Sequence, residues 1–155
     1  MSAILALALQ AAAEGRRSIG IHGSWGAFSD AAPPRCFAIA EPLGQTRLRR
    51  PFASIATWPA DGQRNQLYVR LSRPRASAAR VTLSIGERRF ELLAGPADAW
   101  SPDARTDRAI VAAIRAGRSM SVETVAANGR PFADTYALKG AATAIDAAAV
   151  GCAGR

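Results

Sequence analysis

The chain has 155 residues, 49% of them apolar, and a formal charge of +8, which is one domain's length with enough apolar material for a real core. Two cysteines and one histidine, far apart in sequence, exclude a zinc site, which draws on four ligands at short spacings. No run approaches the ~18 apolar residues of a membrane helix.

Residues 1–13, MSAILALALQAAA, read as a secretory signal peptide. A short apolar run is followed by Ala11-x-Ala13, the small-residue pattern of a cleavage site. Cleavage is expected before Glu14, leaving residues 14–155 as a single domain. From Arg16 the chain reads as strands. Ile19, Ile21, Gly23 and Trp25 share one parity, so residues 18–28 look like one strand. Ala32-Pro33-Pro34 breaks the chain before an apolar run at residues 36–40, and a loop with Pro42 and Gly44 follows. Residues 51–59 are a strand bounded by two prolines, and Asp61-Gly62 marks a turn. Leu67, Val69 and Leu71 alternate with Gln66, Tyr68 and Arg70, as one buried and one wet face require. Residues 73–80 read as loop. Val81, Leu83 and Ile85 then face one way, Gly86-Glu87 suits a two-residue hairpin turn, and Phe90 and Leu92 return.

One helix interrupts. Ser101-Pro102-Asp103 supplies an N-cap, a proline suited to the first turn and an acid favoured by the helix dipole. Ile110, Val111 and Ile114 form its apolar face, and Arg115 and Gly117 are stop signals. Asp103 and Asp107, one turn apart, are read as dipole stabilisers rather than as an acid/base pair. Strands at residues 119–124 and 132–138 flank Asn128-Gly129, which suits a type I′ hairpin turn. Asp134 breaks the apolar parity of Phe132, Tyr136 and Leu138, and is expected to reach water near the strand's start. After Gly140 the period changes: Ala141, Ile145, Ala148 and Cys152 form one helical stripe that aims Cys152 at the core. Many short strands argue for a β-sandwich or barrel. Strands of five to seven residues are too short for a membrane barrel, which needs ~9–11.

Two cysteines in an exported chain favour one disulfide, Cys36–Cys152, over the alternative of two buried thiols. For catalysis the chain offers little. His22 has Ser24 as its only nearby nucleophile, and no nucleophile elbow or phosphate loop is present. The expectation is a non-enzymatic protein with no cofactor and no metal. Trp25, Trp58 and Trp100 are read as core, with a ligand groove as the alternative.

Trp25 followed by Cys36, Ala99-Trp100 leading into the helix with residues 110–117 (IVAAIRAG), Met120-Ser121-Val122, and Tyr136-Ala137-Leu138-Lys139-Gly140 with a late cysteine follow one another along the chain. Together these motifs resemble the invasion-associated locus B family of small exported bacterial proteins. The resemblance covers nearly all of the chain after the signal. It implies an immunoglobulin-like β-sandwich of about seven to eight short antiparallel strands, with one helix inserted and a short C-terminal helix. It also implies a place in the periplasm or outside the cell. It carries the cysteine pair to Cys36 and Cys152 and no catalytic residue.

Charge supplies the last expectation. Arg47, Arg49, Arg50, Arg64, Arg70, Arg73, Arg75 and Arg80 stand against one acid, Asp61, giving +7 over residues 47–80. Guanidinium forks suit phosphate and carboxylate groups. Arg47, Arg49, Arg50, Arg73 and Arg75 are therefore candidate anion contacts, for anionic lipid, lipopolysaccharide or cell-wall polymer. Nucleic acid is disfavoured by compartment. The bland reading is that lysine-poor, arginine-rich composition merely keeps the loops soluble. The favoured function is an envelope interaction module, and the alternative is a periplasmic binder of small ligands or glycans.

Overall fold

The computed structural model describes residues 15–44 and 49–153; the signal segment and Arg47 lie outside them. The strands are β1 Arg16–His22, β2 Trp25–Ala31, β3 Pro34–Ala40, β4 Phe52–Trp58, β5 Gln63–Arg70, β6 Val81–Ile85, β7 Arg88–Ala94, β8 Asp98–Trp100, β9 Ser119–Val125 and β10 Pro131–Ala137. The helices are α1 Ala104–Ala116 and α2 Ala141–Cys152. All ten strands form one open antiparallel sheet, in the order β1-β2-β3-β4-β5-β8-β7-β6-β9-β10.

The chain is thus mainly β, as expected, but the pairing is not that of an immunoglobulin-like sandwich with two separately bonded sheets. The three-residue β8 is the reason. It pairs with β5 through Tyr68↔Trp100 and with β7 through Leu93↔Trp100, making one ladder of what would otherwise be two. The strand count also exceeds the expected seven to eight. Residues 18–28 are a hairpin rather than one strand, with His22 paired to Trp25 across a two-residue turn.

The buried face of the sheet is built from alternate residues. Across β2 to β5 the register aligns Ala27, Ala38, Ile55 and Leu67 in one row, and Ala40, Ala53, Val69 and Ala99 continue the face through β3, β4, β5 and β8. Beyond β8, Leu92, Val81, Leu83, Met120 and Val122 complete it. Both helices pack here, α2 on β1 to β4 and α1 on β5 and β7. The α2 stripe is Ala141, Ala144, Ile145, Ala148 and Cys152, all buried. Alanines on the helix meet alanines on β2 and β3, so the two backbones approach closely.

That approach brings Cys152 to Cys36 on β3. The two form a disulfide with Cα atoms 5.8 Å apart and a sequence separation of 116. Two expectations about caps and turns are corrected. Asp103, not Ser101, caps α1, its carboxylate accepting from Thr106 N–H at 2.7 Å. In the β9–β10 hairpin only Gly129 has positive φ, at 83°. The turn closes through Gly129 N–H to Ala126 O and Ala126 N–H to Arg130 O, which is a turn followed by a left-handed glycine rather than type I′.

The two edges of the sheet are tied at the β1–β2 turn. Ser24 N–H donates to Lys139 O at 3.0 Å, and the Trp25 indole N–H donates to Ala137 O at 2.8 Å. Gly140, at φ 85°, sits so close that a Cβ there would lie 1.8 Å from His22 O. Among the described residues, no helix is long and apolar enough to cross a membrane.

Candidate functional site: an arginine-bearing end and the outer sheet face

The strand register decides which arginines gather. Phe52, at the start of β4, pairs with Arg70, at the end of β5. Arg49 and Arg50 precede that start and Arg73 follows that end, so Arg49, Arg50, Arg70 and Arg73 share one end of the sheet. All four are exposed, and none has a side-chain hydrogen bond or ion pair among the described residues. The segment after β5, which carries Arg73, is anchored. Ser72 donates its backbone N–H to the Asp134 carboxylate at 2.9 Å, and its hydroxyl donates to the same group. Leu43 N–H donates to Thr135 O at 2.7 Å.

Asp134 is therefore not at the wet start of its strand. It is 1% exposed, and the parity break in β10 is the signature of a buried carboxylate holding the loop after β5. Burial of such a group is tolerated because its oxygens are hydrogen-bonded.

The other arginines of the basic run leave this cluster. Arg75 is corrected from an anion contact to a structural residue. Its guanidinium donates to the carbonyls of Gly95, Ala76, Ser77, Ala79 and Ala94 at 2.7–3.2 Å, which ties residues 73–80 to the β7–β8 turn. Arg64 starts β5 and so lies at the opposite end. Arg80 stands 3.7 Å from Glu91, an exposed pair of little energetic weight.

The chemistry-bearing residues elsewhere behave as structure. His22 and Ser24 share no side-chain hydrogen bond; Ser24 is held through its backbone. Asp107 is not a first-turn dipole partner alone. It is 5% exposed and accepts from Leu67 N–H at 2.9 Å, so it joins α1 to β5. Burial raises its pKa, against the opposing pull of the Leu67 N–H and Ser101. Asp30 is bound by Arg16 at 2.7 Å and Arg35 at 2.8 Å. The Arg16 hydrogen bond leads in holding its pKa below the usual range, with Arg35 adding to it.

Of the tryptophans, only Trp25 is fully buried; Trp58 and Trp100 are half-buried on the outer face. Sequence reasoning missed that face. Arg35 lies 4.3 Å from the Phe37 ring centroid and 5.1 Å from that of Trp58, and Phe28 stacks on Phe37 at 5.7 Å. Phe52 and Tyr68 are neighbours at 5.8 Å. The signal was present in the strands: the residues alternating with the buried set include Phe28, Phe37, Phe52, Tyr68 and Trp100, which is aromatic for a face expected to be wet.

Fold, disulfide and site define a class: a small β-rich domain closed by one long-range bridge, with both helices on one side of the sheet. The chain belongs to the invasion-associated locus B family, whose sequence profile matches residues 27–149. It is also similar to the crystal structure of invasion associated protein B from Bartonella henselae, with a TM-score of 0.61 at 16% identity, over 86% of this chain and 96% of that one. At that identity the likeness speaks for the fold. No curated protein matches the chain. Family membership and the disulfide together point to an extracytoplasmic protein.

Proposed function

We propose that this protein is a non-enzymatic interaction module of the cell envelope, periplasmic or secreted, whose arginine-bearing end contacts anionic groups of envelope or host surfaces. The observation that carries the reading is the convergence of Arg49, Arg50 and Arg73, exposed and unpaired among the described residues, on one end of the sheet. Guanidinium groups with no internal partner meet phosphate or carboxylate without first breaking a pair.

The test is binding to phosphatidylglycerol vesicles, to lipopolysaccharide and to the acidic polymer polygalacturonate at low and high salt. Joint reversal of Arg49, Arg50 and Arg73 to Glu is expected to abolish binding at low salt. Reversal of Arg105 and Arg118, which lie on other segments, is expected to leave most of it. Equal loss from both sets would make net charge the whole cause, and no binding at low salt, where screening is weakest, would end the proposal. The compartment is tested separately, by fractionation and by an intact mass two hydrogens below that of the reduced chain. A second reading, binding of a glycan, is favoured by the aromatic outer face.

A further inference from the structure

We infer that the outward face of β3, β4, β5 and β8 is a stacking platform for an acidic polysaccharide, an assignment that rests on the anion-binding reading of the arginine end and names its ligand. The inward residues fix which side chains point out. Ala53 and Ile55 of β4, Leu67 and Val69 of β5, Ala99 of β8 and Leu92 of β7 are buried. Phe52, Tyr68, Trp100 and Leu93 alternate with them and face outward. The register places Ile39, Ser54, Tyr68, Trp100 and Leu93 in one row across five strands. At about 4.8 Å between strands the row is roughly 19 Å long, the reach of a chain rather than of a single small molecule.

The outer face has two aromatic zones, and they differ. On β2 and β3, Arg16 and Arg35 lie over Phe37, both fastened to Asp30, and Phe37 is only 4% exposed. That zone is roofed by the protein's own cations. Over Phe52, Tyr68 and Trp100 no arginine is stacked among the described residues, and each ring is partly exposed. Two depressions, of about 490 and 340 Å³, meet at Phe52. Arg50 and Glu41 line the first and Arg70 and Asp98 the second.

The charges select the ligand. Arg50 and Arg70 line the depressions beside Glu41 and Asp98, Asp98 already accepts from the Tyr68 hydroxyl at 2.9 Å, and Arg49 and Arg73 lie at the same end of the sheet. The surplus is positive, so the complement is an acidic polymer. Its sugar rings present apolar C–H faces to flat aromatic rings, and its carboxylates or phosphates meet guanidinium forks. A lipid surface fits less well. Insertion needs a cluster of protruding apolar side chains, whereas these rings lie half-buried in the sheet and the exposed Ile21 on β1 and Leu93 on β7 stand on opposite sides of them, with Leu43 in the loop after β3.

The experiment titrates the oxidised protein with polygalacturonate, neutral dextran and phosphatidylglycerol vesicles, following tryptophan fluorescence and sedimentation. Phe52→Leu and Tyr68→Leu remove a ring while leaving an apolar side chain, and Leu93→Ser changes a side chain that is 50% exposed. The expected result is polygalacturonate binding weakened about five- to tenfold by each ring removal, weakened less by Leu93→Ser, with dextran bound poorly. Unchanged binding after ring removal, but loss on reversing Arg49, Arg50 and Arg73, would overturn the platform and leave the anion reading standing. Binding to vesicles without binding to the polymer would overturn it in favour of a lipid surface. Binding to nothing would overturn both.

Discussion

Two buried or half-buried carboxylates should pull stability in opposite directions with pH. Asp30 ionises below its ordinary value of 3.8 because Arg16 and Arg35 bind its charged form. Its contribution is present above that unfolded value and is lost as pH falls through the lower folded one. Asp107 has the opposite sign, because burial raises its pKa. The folded state holds its proton to higher pH than the unfolded chain, so stability rises as pH falls through that raised range. Thermal unfolding followed from pH 7 to 3 should show Asp107→Asn losing the gain on mild acidification, and Asp30→Asn losing the steeper fall below about pH 4. If both variants simply shift the whole curve, neither carboxylate titrates as described. The tertiary roles of Asp107 and Asp134 were not legible in the sequence. Asp107 meets Leu67 across 40 residues and Asp134 meets Ser72 across 62, and local pattern cannot announce a partner that distant. Arg75 misled for the same reason: a charge run gives composition, not whether a guanidinium is already engaged by carbonyls. Gly140 marks a change of period and closes a family motif in the sequence, but its close approach to the His22 carbonyl is invisible there. Its substitution by Ala should cost about 3–5 kcal/mol by chemical denaturation, since the new Cβ meets the His22 carbonyl and the residue sits at positive φ.

Elements with a strong period were legible, and elements without one were not. The α2 stripe at Ala141, Ile145, Ala148 and Cys152 follows directly from helical spacing, and all four residues are buried. The β6–β7 hairpin follows from Gly86-Glu87, with Ile85 opposite Arg88. The β1–β2 hairpin was hidden because Ile21, Gly23 and Trp25 share one parity and so look like one face of one strand, whereas the two-residue turn puts Trp25 on the face of His22 and leaves Ile21 on the other, 69% exposed. The β8 strand, three residues long, has too few positions to show any alternation, yet it is what joins the two halves of the sheet. Alanine-on-alanine contact between α2 and β2–β3 makes the helix sensitive to size. Ala144→Leu, at a wholly buried position, should overpack this contact and cost about 1–3 kcal/mol. Ala149→Leu, exposed on the same helix, should change little. Equal effects at the two sites would mean that α2 does not sit close to the sheet.

For the whole molecule the bridge is the dominant constraint. Cys36→Ser, Cys152→Ser and the double variant should lose the same amount, about 4–5 kcal/mol by the chain-entropy estimate for a loop of this length, because each removes one crosslink. Additive losses in denaturant titrations would show two independent thiols instead. The bridge and the alanine contact also set the order in which the chain can be finished. The buried face of β1 to β4 is made early in synthesis, but Cys152 of its cover, α2, follows Cys36 by 116 residues. Until Cys152 arrives, that face is an open apolar surface with a free thiol at Cys36, and until Ala137 and Lys139 are made the ties at Trp25 and Ser24 have nothing to reach. Contacts this distant in sequence are slow to form, and exposed strands wait in a state that invites association with other chains. A chain stopped at Gly140 should therefore bind a hydrophobic dye and aggregate, and adding the missing helix as a separate peptide under oxidising conditions should rescue part of it. The protein behaves as a vessel whose lid is made long after its body, so its maturation depends on being held open and soluble until that lid is delivered and oxidised shut.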